Sequence, residues 1–301
     1  NMGDSTDAPE YWNVGGEYEA FAEREGVPVH TGYYVQDVRT AEVADWDSTG
    51  ARGALVNLVG HEGINDVHIT EIPPGESTDP QQHLHEQITY VVGGRGATAI
   101  GPEGEETTFE WHHNALFAIP RNARYQHINT SEDEPVRLVT ETDLPSLFTL
   151  FGDESFIFDN DHSFVDAAAE QYYSTEGNMY EGTKFPVVWE SNFIPDIHTY
   201  EEIQHWAERG AGGASIQFSH PDTSIWSHIS QFPVGTYKKA HRHHPGANVI
   251  VLEGEGYSMM WPQHDDSDKL RIDWQPGTLL VPPALWYHQH FNTASQASRY
   301  L

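Results

Sequence analysis

The sequence predicts an all-β protein made of two tandem copies of one β domain, joined by a partly helical segment. Two observations carry this. From Ala51 onward the chain turns into short apolar runs broken by Gly, Pro and Asn, among them Ala54–Val59, Val67–Ile72 and Ile88–Val92. Runs spaced about ten residues apart with turn residues between them are the pattern of a sandwich or barrel. The second observation is an internal copy. Shifted by 160 residues, Gly53 falls on Gly213, His68 on His228, His83 on His243, Gly94 on Gly254 and Gly96 on Gly256. After a slip to 163, Trp111 falls on Trp274, Pro120 on Pro283, His127 on His290 and Asn129 on Asn292. A period that long means tandem domains, not a solenoid.

In chain order, residues 1–50 form an acidic, aromatic N-terminal arm with one helix candidate, Tyr18 to Glu25. Residues 51–150 are the first β domain. Over 151–209 the apolar period lengthens, and Ser163–Tyr173 and Thr199–Arg209 read as helices, the second with Glu201 and Glu202 in its first turn. Residues 210–301 are the second β domain.

Composition removes several function classes. There is no cysteine, so no disulfide framework, thiol nucleophile or zinc–thiolate site. The 46 acidic against 15 basic residues give a net charge of −31, spread along the chain and not gathered in one tail. Such an acidic shell fits a halophilic protein and disfavours nucleic acid and anionic membranes. No apolar run approaches the ~18 residues of a membrane helix. The first residues lack the basic and apolar regions of a signal peptide, and Asn1 ahead of Met2 reads as a cloning remnant. The expectation is a cytoplasmic protein. No phosphate-binding loop, dinucleotide fingerprint or Ser-His-Asp order occurs; Gly93-Gly94-Arg95-Gly96 opens no helix.

The chemistry concentrates at Lys239-Ala240-His241-Arg242-His243-His244-Pro245-Gly246-Ala247. Residues two apart on a strand share a face, so His241 and His243 project together. Tyr287-His288-Gln289-His290-Phe291-Asn292 repeats the spacing near the end of the chain. Two imidazole pairs on two strands can form a transition-metal site, whereas single surface histidines do not.

These residues resemble the two-part cupin signature, G(x)5HxH(x)3-4E(x)6G followed by G(x)5PxG(x)2H(x)3N. The first part reads Gly235, His241, His243, Ala247 in the acidic slot, and Gly254; the second reads Gly277, Pro283, Leu285 in the glycine slot, His288 and Asn292. The resemblance covers about 51–150 and 210–301 and implies two small double-stranded β-helix (jelly-roll) barrels, a bicupin, with any metal in a barrel mouth. It assigns His241, His243 and His288 as metal ligands. A three-His set lacking the acidic fourth ligand is similar to gentisate 1,2-dioxygenase and related ring-cleaving bicupins, where the metal is Fe(II). Two departures stand out: Val249 replaces an Arg that grips the substrate carboxylate in those enzymes, and their principal site lies in the first barrel.

Applied to the first barrel, the same offsets turn His241 into Gln81, Ala247 into Gln87 and His288 into Tyr125; His83 alone survives. Gln is a poor ligand beside imidazole, so this barrel is expected to be metal-free. A site rebuilt from His83, His85 and His127 is the alternative. His290 shares the face of His288 and is read either as a catalytic proton shuttle or as a hydrogen-bonded core residue like its copy His127. His228 is read as scaffold or as cavity wall, and Trp226, Trp261 and Trp286 as core or as walls of an aromatic substrate pocket. Lys238 and Lys239, two of only four lysines, either attract an anionic substrate or end a solvated strand. Asn292 and Asn129 are expected to close a turn in both barrels.

The expected function is an Fe(II)-dependent dioxygenase acting on a small, aromatic or otherwise enolisable substrate. The alternative is a lyase, isomerase or decarboxylase using Mn, Zn or Ni; a ligand-storing barrel without catalysis is the third reading. The expected partners are a small-molecule substrate and further copies of the chain, with neither nucleic acid nor membrane.

Overall fold

A computed structural model describes residues 16–169, 171–182, 187–198, 204–205, 212–263 and 267–301. Strands dominate, and each half folds into a wide and a narrow sheet. In the first barrel the wide sheet contains Ala51–Val56, Asp66–Ile72, Val136–Thr142, Gln87–Gly93 and Leu116–Ile119 in spatial order. Its narrow sheet is Tyr125–Asn129, Arg95–Ile100 and Thr107–His112. The second barrel repeats this with Ala214–Ser219, Ser227–Phe232, Ser298–Tyr300, Val249–Glu253 and Leu279–Leu280, and a narrow sheet of Leu270–Trp274, Gly256–Trp261 and Tyr287–Asn292. The expected all-β, two-barrel architecture is the one observed. Buried and part-exposed residues alternate along Gly256–Trp261 and Tyr287–Asn292, as a sheet with one face inward requires.

The copied residues make copied contacts. Gly94 and Gly254 turn with φ of 87° and 83°, a region that favours glycine. Asn129 Nδ2 donates to the carbonyls of Ile72, Pro73 and Glu134, and Asn292 Nδ2 to those of Phe232, Pro233 and Gln296. Both asparagines close the turn expected of them.

The two barrels share a core and exchange edges. Val67, Ile69, Ile88 and Tyr90 of the first pack in one apolar cluster with Ile216, Phe218, Ile229 and Ile250 of the second. Tyr34–Val35, from the N-terminal arm, pairs with Leu279–Leu280 of the second barrel, while Phe193–Ile194 pairs with Leu116–Phe117 of the first.

Helices occupy other places than expected, apart from Glu17–Glu25, which matches the candidate at Tyr18–Glu25. Among the described residues of Ser163–Tyr173 there are turns and irregular chain but no helix, and Tyr173 packs into the first barrel. Its ring stacks on Phe109 at 4.0 Å and its hydroxyl donates to the Ala118 carbonyl at 2.7 Å. Of Thr199–Arg209 only Gln204–His205 lies within the described residues, and it is a strand paired with Ala214–Ser215. The helices that do follow the first barrel are Leu144–Phe151, with Pro145 in its first turn and Gly152 as a left-handed C-cap, and Glu154–Phe158, whose N-cap Asp153 accepts from the Phe156 amide.

Glu141 faces a cavity of about 110 Å³ between the barrels. Burial pushes its carboxyl up to about 7, partly offset by a 2.6 Å bond from Asn65 Nδ2. The folded state therefore holds this proton more tightly than the unfolded chain does, and the group weakens folding as pH rises from ~4.3 to about 7, levelling off above. Glu141→Gln should stabilise the protein by about 2 kcal/mol at pH 8 and much less at pH 5, as read by urea denaturation at fixed salt. An equal effect at both pH values would contradict the assignment.

Candidate metal centre

His241 sits opposite His288 in an isolated bridge, with amide-to-carbonyl bonds of 3.1 and 2.9 Å in the two directions. The Leu285 amide donates to the His243 carbonyl at 2.9 Å. Arg242 and His244 are exposed and His241 and His243 half-buried, as strand alternation requires. One nitrogen from each of His241, His243 and His288 can be chosen so that all three lie within 4.8 Å of one another. Among the described residues this is the one cluster of its kind.

The tautomers suit ligation. Nδ1 of His241 contacts the Lys239 carbonyl at 3.0 Å, that of His243 the His244 carbonyl at 2.7 Å, and that of His288 the Trp286 carbonyl at 3.3 Å. A carbonyl only accepts, so each Nδ1 carries the proton and each lone pair sits on Nε2. Such backbone partners fix the orientation of metal-binding imidazoles. Burial holds His288 far below the usual histidine range, and neighbouring His290, His241 and His243 push it further. It is neutral at physiological pH, as a ligand must be. The donor set fits a divalent first-row metal.

The glycine slot of the second motif is held by Leu285 at φ 60°, and the matching Asn122 has φ 57°. Both barrels keep the left-handed turn with a non-glycine residue, a strained choice for Leu.

The first barrel braces the ligand loops. The Gly246 amide donates to the Gly60 carbonyl at 2.9 Å, and Asn65 Nδ2 to the Gly246 carbonyl at 2.7 Å. His61 Nδ1 accepts from the Leu58 amide, so its Nε2 donates to Asn248 Oδ1 at 2.8 Å. Glu62 accepts from the Ala284 amide at 2.7 Å, just ahead of His288. No local sequence signal announces these contacts, because every partner lies in the other barrel.

His290 is buried, and its Nδ1 lies 2.6 Å from Ser258 Oγ, which also accepts from Trp274 Nε1 at 3.0 Å. His127, Thr98 and Trp111 repeat this chain at 2.9 and 2.8 Å in the first barrel. The duplication favours a packing role, although His290 faces inward with its ring 5.6 Å from that of His288.

The structure disperses the three residues expected to contact substrate. Trp261 lies on the outer face, in register with Tyr287 and 5.8 Å from its ring, because it shares the face of Tyr257 and Met259 and not that of Ser258. Trp286 packs on the second barrel's core, 6.2 Å from Tyr33 of the N-terminal arm. His228 lines the cavity between the barrels together with Trp226 and Ala247. Its copy His68 instead lines the first barrel and bonds Asp66 at 3.0 Å.

Lys238 is inside the second barrel, 1% exposed. Its Nζ donates to Ser230 Oγ at 2.8 Å and lies 5.5 Å from the Phe232 ring and 6.0 Å from that of Tyr300, whereas Lys239 is exposed. The lysine is therefore an interior side chain and not a mouth residue.

In the first barrel Tyr125, in the His288 slot, places its hydroxyl 2.9 Å from His83 Nε2. His83 Nδ1 donates to the His85 carbonyl at 2.9 Å, so Nε2 accepts from Tyr125. The lone pair a metal would use is capped. His127 Nδ1 is committed to Thr98.

A cupin domain model matches residues 68–141. No curated protein sequence matches the chain. Similar solved structures include salicylate 1,2-dioxygenase from Pseudaminobacter salicylatoxidans, at TM-score 0.57 and 15% identity over 79% of this chain and 70% of that one. Oxalate decarboxylase from Lactobacillus farciminis matches at 0.56 and 12%, over 89% and 84%. Vicilin from Corylus avellana (hazelnut) matches at 0.53 and 16%, also over 89% and 84%. Among the described residues no helix is long and apolar enough to cross a membrane. With a matched cupin domain at residues 68–141, the same two-sheet barrel repeated in the second half and fold likeness to these structures over 79–89% of the chain, the chain is a bicupin in fold.

Proposed function

We propose that this chain is a metal-dependent enzyme whose second barrel binds one Fe(II) through His241, His243 and His288 and oxygenates a small, enolisable or aromatic substrate. The observation that carries this reading is a cluster of three imidazoles, His241, His243 and His288, with Ala247 in the acidic slot of the motif. A bound ion there keeps its full dipositive charge and supplies Lewis acidity and redox capacity. The chain does the rest by position. The backbone carbonyls of Lys239, His244 and Trp286 hold the imidazoles in one tautomer, and the first barrel braces both ligand loops. Val249 stands where the ring-cleaving enzymes carry an Arg, so their carboxylate grip is not carried over. The spread acidic charge fits a halophilic, cytoplasmic protein that does not bind nucleic acid, and the chain is expected to form homo-oligomers.

A non-oxidative reading, a lyase, isomerase or decarboxylase using Mn, Zn or Ni, is supported by a fold likeness to an oxalate decarboxylase equal to that to a dioxygenase. The two part on oxygen. With Fe(II) added, an oxygen electrode should register uptake on at least one member of a panel of phenols, diketones and hydroxy acids. Substrate loss without uptake selects the non-oxidative reading.

A further inference from the structure

Five non-glycine residues among those described have a positive φ, and four of them form two copied pairs. Glu62 (50°) falls on Asp222 (66°) at the offset of 160, and Asn122 (57°) on Leu285 (60°) at 163. Asn and Asp tolerate this left-handed backbone, whereas Glu and Leu do not. The two ill-suited residues lie on either side of one contact: the Ala284 amide, next to Leu285, donates to Glu62 Oε1 at 2.7 Å. Strain of this kind persists only where the surroundings hold it in place.

Glu62 closes the first-barrel turn Val59–His61, which runs flush along the second barrel. A Cβ on Gly60 would sit 2.4 Å from the Val281 carbonyl oxygen and 2.7 Å from that of Pro282, so no side chain fits between the two segments. On the far side, the turn over 283–286 reaches two of the three triad histidines. The Leu285 amide donates to the His243 carbonyl at 2.9 Å, and the Trp286 amide to the Pro283 carbonyl at 3.1 Å. The Trp286 carbonyl accepts from His288 Nδ1 at 3.3 Å.

The copied pair is built differently. Asp222 is exposed, and its carboxylate accepts from the Tyr172 hydroxyl at 3.3 Å. The second barrel reaches the first through Ser224 instead, whose amide donates to Glu86 Oε1 at 2.8 Å. The carboxylate tie to a neighbouring turn is thus made toward the triad.

We propose that Glu62 of the first barrel is a positioning residue for the metal centre of the second: it fixes the 283–286 turn, and through it the His288 imidazole and the His243 backbone. The inference rests on the triad being a metal site. It gives the first barrel, whose own ligand set is broken, a part in that site.

Co(II) titration of the full chain, followed through the visible bands of the bound ion, tests it. Glu62→Gly removes the carboxylate and suits the left-handed backbone, so the metal-free variant should unfold at a urea midpoint close to that of wild type. It should bind Co(II) at least about tenfold more weakly, the lower end of what losing an outer partner of a ligand costs. Its bands at saturating Co(II) should be shifted from those of wild type, and they carry the test even if the midpoint falls. Glu62→Gln keeps an acceptor oxygen for Ala284 and should restore both affinity and bands. Asp222→Gly makes the same backbone change at the copied position and should bind Co(II) as wild type does. Wild-type affinity and bands in Glu62→Gly, an equal loss in Glu62→Gln, or an equal loss in Asp222→Gly would each overturn the proposal. His288→Ala separates this inference from the reading beneath it. Co(II) bound equally by His288→Ala and wild type contradicts the metal site itself, whereas Co(II) lost in His288→Ala and fully kept in Glu62→Gly contradicts the role of Glu62 alone.

Discussion

His288→Ala should abolish metal binding, lowering affinity by more than about 100-fold, and any metal-dependent turnover should go with it. Losing only an outer hydrogen-bond partner of a ligand costs about 10–100-fold, and His288 is read as a ligand itself. It is also the most buried of the three and the one contributed by a separate strand. Without it, His241 and His243 remain as a pair on one extended segment, half-exposed, with no third donor among the described residues to complete a cluster. The first barrel supplies the control. Tyr125→Ala removes the residue in the same fold position and should leave metal content unchanged, since Tyr125 caps His83 in place of coordinating. The pair of variants, followed by metal titration and circular dichroism, separates loss of a ligand from loss of fold. Metal retained in His288→Ala would remove the triad from consideration.

Gly256→Ala should cost at least about 3 kcal/mol, at or beyond the upper end of ordinary overpacking. A Cβ added there would sit 2.0 Å from the Phe291 carbonyl oxygen and 2.6 Å from the Trp274 ring. The first obstacle is backbone and cannot rotate away. The strand that must move is Tyr287–Asn292, which carries His288, so metal affinity should fall together with stability. Gly96 repeats the situation against the Ile128 carbonyl oxygen at 2.3 Å and Trp111 at 2.4 Å. Gly96→Ala should therefore destabilise the first barrel while sparing the triad's own geometry. Urea midpoints and metal titrations of the two variants check both halves; a change below about 0.5 kcal/mol in Gly256→Ala would contradict the close approach.

That glycine pair also explains how much of the fold was legible. The Gly96/Gly256, Trp111/Trp274, His127/His290 and Asn129/Asn292 pairs each meet the same obstacle or partner in both barrels, so a fixed offset along the chain reports a shared geometry in space. His241, His243 and His288 were legible for a related reason: alternation sets the first two on one face, and the motif supplies the third. Trp261 was not. Its direction depends on its register opposite Tyr287, which a single strand does not reveal. The two-residue strands Tyr34–Val35 and Phe193–Ile194 were invisible too, since their stability comes from partners far along the chain. The helices after residue 143 did carry signals, Asp143-Leu144-Pro145 at one start and Gly152-Asp153 between them, which the apolar period of the following segment obscured.

The proposed function requires one metal per chain, held in the second barrel. Elemental analysis of protein purified without chelators measures it directly. About one equivalent of a first-row metal is expected in the wild type and in Gln81→Ala, and none in a chain carrying both His241→Ala and His243→Ala. Two equivalents in the wild type, or one retained in the double variant, would contradict it.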